Sequence, residues 1–342
     1  MSKTSYLVNI VCSNNGVGLS RDSELIYSLI RELNIPVKNS LQYKDLKSYL
    51  SKTKHIFTLY KRLFDNIFSI ISRTTPKTTT INFFIEHIDK YYFHKNSINC
   101  FIPNPEYTKK KDIKYIQKMD YILCKTHETE KIFEKFPAKK VFIGFTSKDR
   151  MEGNTNKTKS FFHLAGSSRQ KGTDVLVDLW LKHPEWPTLT IVQNPKKYTR
   201  EEPIKAGNIN YILDYVDDKE LKNLQNNNLF HLCPSESEGF GHYIVEALSC
   251  GAITLTTDAP PMNELVRKDR GILVSYKAIN KKNLGTNYYV DEYELEKHIK
   301  QIQNMTDKQI RNLSIKSRQW FLRNDSEFKI RLKGFIEHLT SK

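Results

Sequence analysis

Residues 229–251 constrain the fold of this chain more than any other stretch. An apolar run, Leu229 to Leu232, feeds Pro234-Ser-Glu-Ser-Glu-Gly-Phe-Gly. A helical pattern of Tyr243, Ile244, Ala247 and Leu248 follows at once and stops at Gly251, where glycine marks a helix C-terminus. The stretch predicts a strand, a glycine-containing loop and a helix start, the geometry that turns free backbone N–H groups toward an anion. Glu238 lies in the loop and Glu246 in the helix, with seven residues between them.

The same alternation recurs along the chain. In the first half, Tyr6 to Cys12, Thr80 to Ile85, Ile98 to Ile102, Tyr121 to Cys124 and Val141 to Phe145 read as strands. Helical patterns run from Ser20, a plausible N-cap, through Leu33, and from about Leu41 to Ser72. In the second half the strands are Ser160 to Leu164, Leu189 to Val192, Ile209 to Leu213, Leu229 to Leu232, Ile253 to Thr256 and Ile272 to Val274. Helices are expected near Gly172 to Leu181, Asp218 to Asn226, His242 to Ser249 and Met262 to Val266. After Tyr276 the chain reads as almost wholly helical through Leu339. Strands separated by helices predict right-handed crossovers and mostly parallel sheets, an α/β class. A length of 342 residues suits two domains. Lys148 to Lys159 is polar without periodicity and reads as the linker, giving domains at 1–150 and 151–322, with a last helix at 323–342.

Set in Pro-Ser-x-x-Glu-Gly-Phe-Gly and Glu-Ala-Leu-x-Cys-Gly, the pair Glu238 and Glu246 resembles the signature of retaining glycosyltransferases of family 4. Pro234, Gly239, Gly241 and Gly251 strengthen the match. The resemblance implies the GT-B fold: two Rossmann-like, doubly wound domains facing a central cleft, with a last helix returning to the first. It implies retaining transfer of a hexose or related sugar from a UDP- or GDP-sugar to a hydroxyl of a glycan, protein or lipid-linked acceptor.

Site roles follow from the same resemblance. The strand ending in Gly166 leads to Arg169 and Lys171, which match family positions that hold the donor diphosphate. Fixed cations there stabilise the charge that grows as the sugar leaves. Glu246 is implied to accept hydrogen bonds from the ribose, and Glu238 from hydroxyls of the transferred sugar. The N–H groups of Phe240, Gly241 and His242 are implied to face phosphate or sugar, with Gly239 and Gly241 keeping the backbone close and His242 forming a wall. The Gly16-Val-Gly18 loop closes over the diphosphate, frames the acceptor, or is a plain turn. The family usually carries a histidine in the first domain near the sugar. Pro103-Asn-Pro-Glu106 occupies the expected place without one. His87 is the substitute, with a structural role as its alternative.

No Asp-x-Asp triplet occurs, so diphosphate charge falls to cations and helix starts, and neither metal nor other cofactor is expected. Lys and Arg number 54 against 38 acids, a formal charge of +16. Lysines on solvated faces explain it; the alternative is a basic, non-catalytic GT-B-like protein that binds nucleic acid or an anionic surface. No zinc finger, helix-turn-helix or aromatic-rich RNA motif is seen, so nucleic acid is not the expected partner. Five cysteines, none in a C-x-x-C pair, read as buried apolar residues in a reducing compartment. The N-terminus lacks an apolar signal core and no apolar run approaches bilayer length. The expected location is the cytoplasm, with peripheral contact to an anionic membrane left open.

Overall fold

The computed structural model describes residues 5–12, 18–39, 78–90, 92–153 and 157–341. Gly16 and the helical pattern from Leu41 to Ser72 lie outside the described residues. Two compact units emerge: Met1–Lys125, Thr129–Ile143 and Lys329–Lys342 form one, and Thr126–Glu128 with Gly144–Phe328 the other.

The first unit is built on a sheet of order β2-β1-β3-β4-β5-β6. Its strands are β1 (Ser5–Val11), β2 (Val37–Asn39), β3 (Thr78–Ile85), β4 (Ile98–Ile102), β5 (Tyr121–Cys124) and β6 (Lys139–Phe142). Every pairing is parallel. Val8, Ile10, Ile81, Phe83, Phe101 and Ile122 are wholly buried, as continuous apolar runs require in strands covered on both faces. Helix α1 (Gly18–Glu32) begins ahead of Ser20, which sits inside the first turn rather than capping it. Strand β2 carries no sequence signal, being three residues long at the sheet edge.

The second unit repeats the plan with order β12-β11-β10-β7-β8-β9. The strands are β7 (Thr158–Gly166), β8 (Leu189–Gln193), β9 (Ile209–Ile212), β10 (Asn228–Cys233), β11 (Ile253–Thr257) and β12 (Gly271–Val274), all paired in parallel. The short helices α2 (Ile113–Ile116), in the first unit, and α3 (His127–Phe133), in the first unit from Thr129, are followed here by α4 (Thr173–Lys182), α5 (Asp218–Asn227), α6 (His242–Ser249) and α7 (Met262–Leu265). The chain ends in α8 (Glu292–Gln303) and α9 (Asp307–Thr340). Helix α9 clusters with the second unit up to Phe328 and with the first from Lys329. All five cysteines are buried and none forms a disulfide.

One expectation fails. Residues after Tyr276 do not enter a helix; they form an antiparallel hairpin of β13 (Tyr276–Lys282) and β14 (Gly285–Val290). Asn283 adopts the left-handed φ of 55° that closes the tight turn. Ile279, Thr286, Tyr288, Tyr289 and Val290 are β-branched or aromatic and favour extended backbone. Helix begins only at α8, where the Asp291 side chain accepts the N–H groups of Tyr293 and Glu294.

Candidate active site

Strands β7 and β10 are neighbours in the second sheet, and each ends in a loop that opens a helix. Residues 167–172 lead into α4 and residues 234–241 into α6. Ligands of doubly wound sheets bind beyond such strand ends. Both helices start from a left-handed glycine, Gly172 at φ 68° and Gly241 at φ 107°, without a side-chain cap. A Cβ on Gly172 would lie 2.4 Å from the Pro234 carbonyl oxygen. The loops are therefore in backbone contact, and Glu236 N donates to Gln170 O at 2.9 Å. No described group takes up the N–H of Phe240 or Gly241, which leaves donors at the start of α6.

The Lys171 ammonium is ion-paired with the Glu238 carboxylate. It lies 3.8 Å above the centroid of the Tyr243 ring, a cation–π contact that adds to the pair. The Ser235 hydroxyl donates to the same Glu238 oxygen and shares a hydrogen bond with the Tyr243 hydroxyl. Burial, with Cys233 and Glu238 nearby, holds the Tyr243 pKa well above the usual phenol value. The site therefore contains a fixed cation, one carboxylate and neutral hydroxyls. Arg169, in the same loop, is exposed and bonded to no described residue, so the structure brings Lys171 and Glu238 together but leaves Arg169 in solvent. Gly166 ends β7 at φ 54° with open space about it.

Glu246 is buried inside the unit. One oxygen accepts from Gln225 Nε2 at 2.9 Å and the other from Ser147 Oγ at 3.3 Å. Gln225 is held in turn by Arg150 Nε at 2.7 Å, and Arg150 pairs with Asp218 at 2.8 Å. Both carboxylate oxygens are thus held by side chains of the same unit. His242 Nδ1 lies 3.1 Å from Ser147 Oγ, and its ring meets Phe145 and Phe240 edge-on. Gly239 is half-buried between Glu238 and Phe240.

Two histidines carry weight that the sequence reading missed; their only signal is a position inside apolar strands. His163 Nδ1–H donates to Leu232 O at 2.7 Å, and its Nε2 accepts from Thr173 Oγ1 at 2.9 Å. It thereby ties β7 and β10 to the start of α4. Burial, aided by the Lys171 charge, pushes its pKa down to about 4. Burial and Lys157 push His231 down to about 3, and its Nε2–H donates to Gln225 O at 2.9 Å. Both groups bind a proton more readily unfolded, near pH ~6.5. Stability is therefore full above that pH and falls as acid approaches the folded values. Each histidine is expected to cost on the order of 2 kcal/mol by pH 5. Thermal midpoints from pH 7 to 5 check this: the midpoint should fall, and less steeply in His163→Asn. Equal slopes would contradict it.

In the first unit, His87 is about one-third exposed, with Nε2 3.2 Å from Glu86 Oε1. Glu86 is buried and takes a left-handed φ of 63°, an unusual conformation for a residue with a Cβ. Its other oxygen accepts from Asn104 Nδ2 at 2.7 Å. Asn104 Oδ1 accepts from Lys125 Nζ at 2.6 Å, and Lys125 pairs with Asp22 at 3.0 Å. This chain gathers residues that follow β3, β4 and β5 together with one from α1. Gly18 opens α1 with nothing crowding it. Among the described residues, no group of three or more His, Cys, Asp and Glu side chains is placed to hold a metal ion. No helix among them is long and apolar enough to cross a membrane.

Residues 145–306 match the family model described as glycosyl transferases group 1. None of the curated proteins matches. Among solved structures, a glycosyltransferase from Rickettsia africae ESF-5 is similar at a TM-score of 0.68 and 13% identity, over 98% of this chain and 97% of that one. Sucrose-phosphate synthase from Thermosynechococcus elongatus is similar at 0.68 and 11%, covering 98% and 99%. The E. coli trehalose-6-phosphate structure bound with UDP-2-fluoro glucose is similar at 0.61 and 11%, covering 99% of each chain. At these identities the structures speak for the fold, and the matched domain speaks for the chemistry. The chain is an enzyme of GT-B fold whose residues 145–306 are similar to glycosyl transferases group 1.

Proposed function

We propose that this enzyme is a retaining, metal-independent hexosyltransferase that uses a UDP- or GDP-sugar and an acceptor hydroxyl on a glycan, protein or lipid-linked sugar. The observation that carries the reading is the Lys171–Glu238 pair set beside the uncapped start of α6. In the resting site Glu238 neutralises Lys171. A donor diphosphate takes over the ammonium and frees the carboxylate to accept hydrogen bonds from hydroxyls of the transferred sugar. Glu246 accepts from the ribose.

As the anomeric C–O bond breaks, negative charge develops on the β-phosphate. Lys171, the N–H groups of Phe240 and Gly241, and Arg169 once drawn in from solvent stabilise it. The acceptor hydroxyl attacks the face the phosphate is leaving, and a phosphate oxygen takes the hydroxyl proton, so configuration is kept. These groups supply the charge that a divalent ion supplies in other transferases. On the acceptor side the reading assigns His87, steadied by Glu86. NMR of the product anomer, with chelator present, tests both features. Retention at undiminished rate is expected; an inverted product, or activity lost to the chelator, overturns the corresponding claim.

A further inference from the structure

The β13–β14 hairpin forms a two-stranded sheet of its own and joins neither six-stranded sheet. Strand β13 is exposed from Tyr276 to Lys281, so core formation does not explain it. Its inner strand nevertheless buries a polar side chain, Asn287, and buried amides need partners. Asn287 Oδ1 accepts from Gln170 Nε2 at 3.0 Å, and Asn287 Nδ2 donates to Glu236 Oε2 at 3.1 Å. The backbone repeats the link, with Tyr288 N donating to Glu236 O at 2.7 Å.

Gln170 is the hub. Its Nε2 also donates to Ser237 Oγ at 3.1 Å, its Oε1 accepts from Lys282 Nζ at 2.7 Å, and its backbone oxygen accepts from Glu236 N at 2.9 Å. Three segments thus meet in one network: the loop before α4, the loop before α6, and the hairpin. Gln170 directly precedes Lys171, and Ser237 directly precedes Glu238. A satisfied polar network admits one arrangement of its members, where an apolar contact tolerates several.

We propose that the hairpin is a positioning device, acting through Asn287 and Gln170 to hold Lys171 and Glu238 where the leaving diphosphate needs them. The inference rests on the donor site proposed above. Neither Asn287 nor Gln170 touches the donor in this account; both act through the loops they brace. Small displacements of catalytic groups are costly, so Asn287→Ala and Gln170→Ala should each lower kcat by about 10- to 100-fold. The donor KM should change less than kcat, and the thermal midpoint by only a few degrees. Because both act in one network, the double variant should lose little more than the worse single variant.

The test is steady-state kinetics per folded protein with the donor that supports turnover, alongside Lys171→Ala. An inactive Lys171→Ala with fully active Asn287→Ala and Gln170→Ala would overturn the bracing role and leave the site standing. Full activity in all three would remove the site itself. Losses that multiply in the double variant would also overturn the shared network.

Discussion

Lys171→Ala is expected to lower kcat by about two orders of magnitude or more, the scale seen when one preorganised electrostatic donor is removed. The Tyr243 ring holds the ammonium in place, and the Glu238 carboxylate positions it until the donor diphosphate takes it over. Little reorganisation is then needed when charge moves onto the phosphate. Because that charge grows in the transition state, kcat should suffer more than donor KM. Lys171→Arg should restore only part of the rate, since a planar fork does not reproduce a point charge seated on an aromatic face. Steady-state kinetics on both variants decides the matter, and turnover within about threefold of the parent would contradict it.

Gly172→Ala should be the most damaging single-methyl change in this region. Its φ of 68° already disfavours a side chain, and the added Cβ would sit 2.4 Å from a backbone oxygen, that of Pro234. No rotamer relieves a clash with backbone. The two donor loops must part, which strains the 2.9 Å bond from Glu236 N to Gln170 O. A loss of about 2–4 kcal/mol is expected, combining conformational strain with disrupted packing. Gly166→Ala is the control: its φ is 54° but nothing lies within 4 Å of the added carbon, so strain alone, about 1–2 kcal/mol, should appear. Denaturant midpoints of the two variants measure the difference; equal losses would show that the loop contact adds nothing.

Much of the fold was legible because parallel strands are buried on both faces and read as unbroken apolar runs. Ile98–Ile102 and Tyr121–Cys124 occur with the expected bounds, as does His242–Ser249 with Gly251 beyond it. The hairpin was not legible. Its exposed β13 carries lysines and no alternating apolar face, so its polarity resembles that of a solvated helix. Lys171 and Glu238 lie far apart in sequence, and only the resemblance of each loop to a family pattern linked them. The polar partners lacked even that. Gln170 with Asn287, and Glu86 with Asn104, Lys125 and Asp22, are common residue types whose meaning arises only when strand ends bring them together. His163 and His231 were hidden for the opposite reason, being single polar residues inside runs that read as core.

Calorimetric titration of the unmodified protein with UDP and GDP, against the matching nucleosides, tests the central claim most directly. One diphosphate should bind at least about tenfold more tightly than its nucleoside, a margin of about 1.4 kcal/mol, and that margin should collapse in Lys171→Ala. Equal affinities for nucleoside and diphosphate in the unmodified protein would contradict the account.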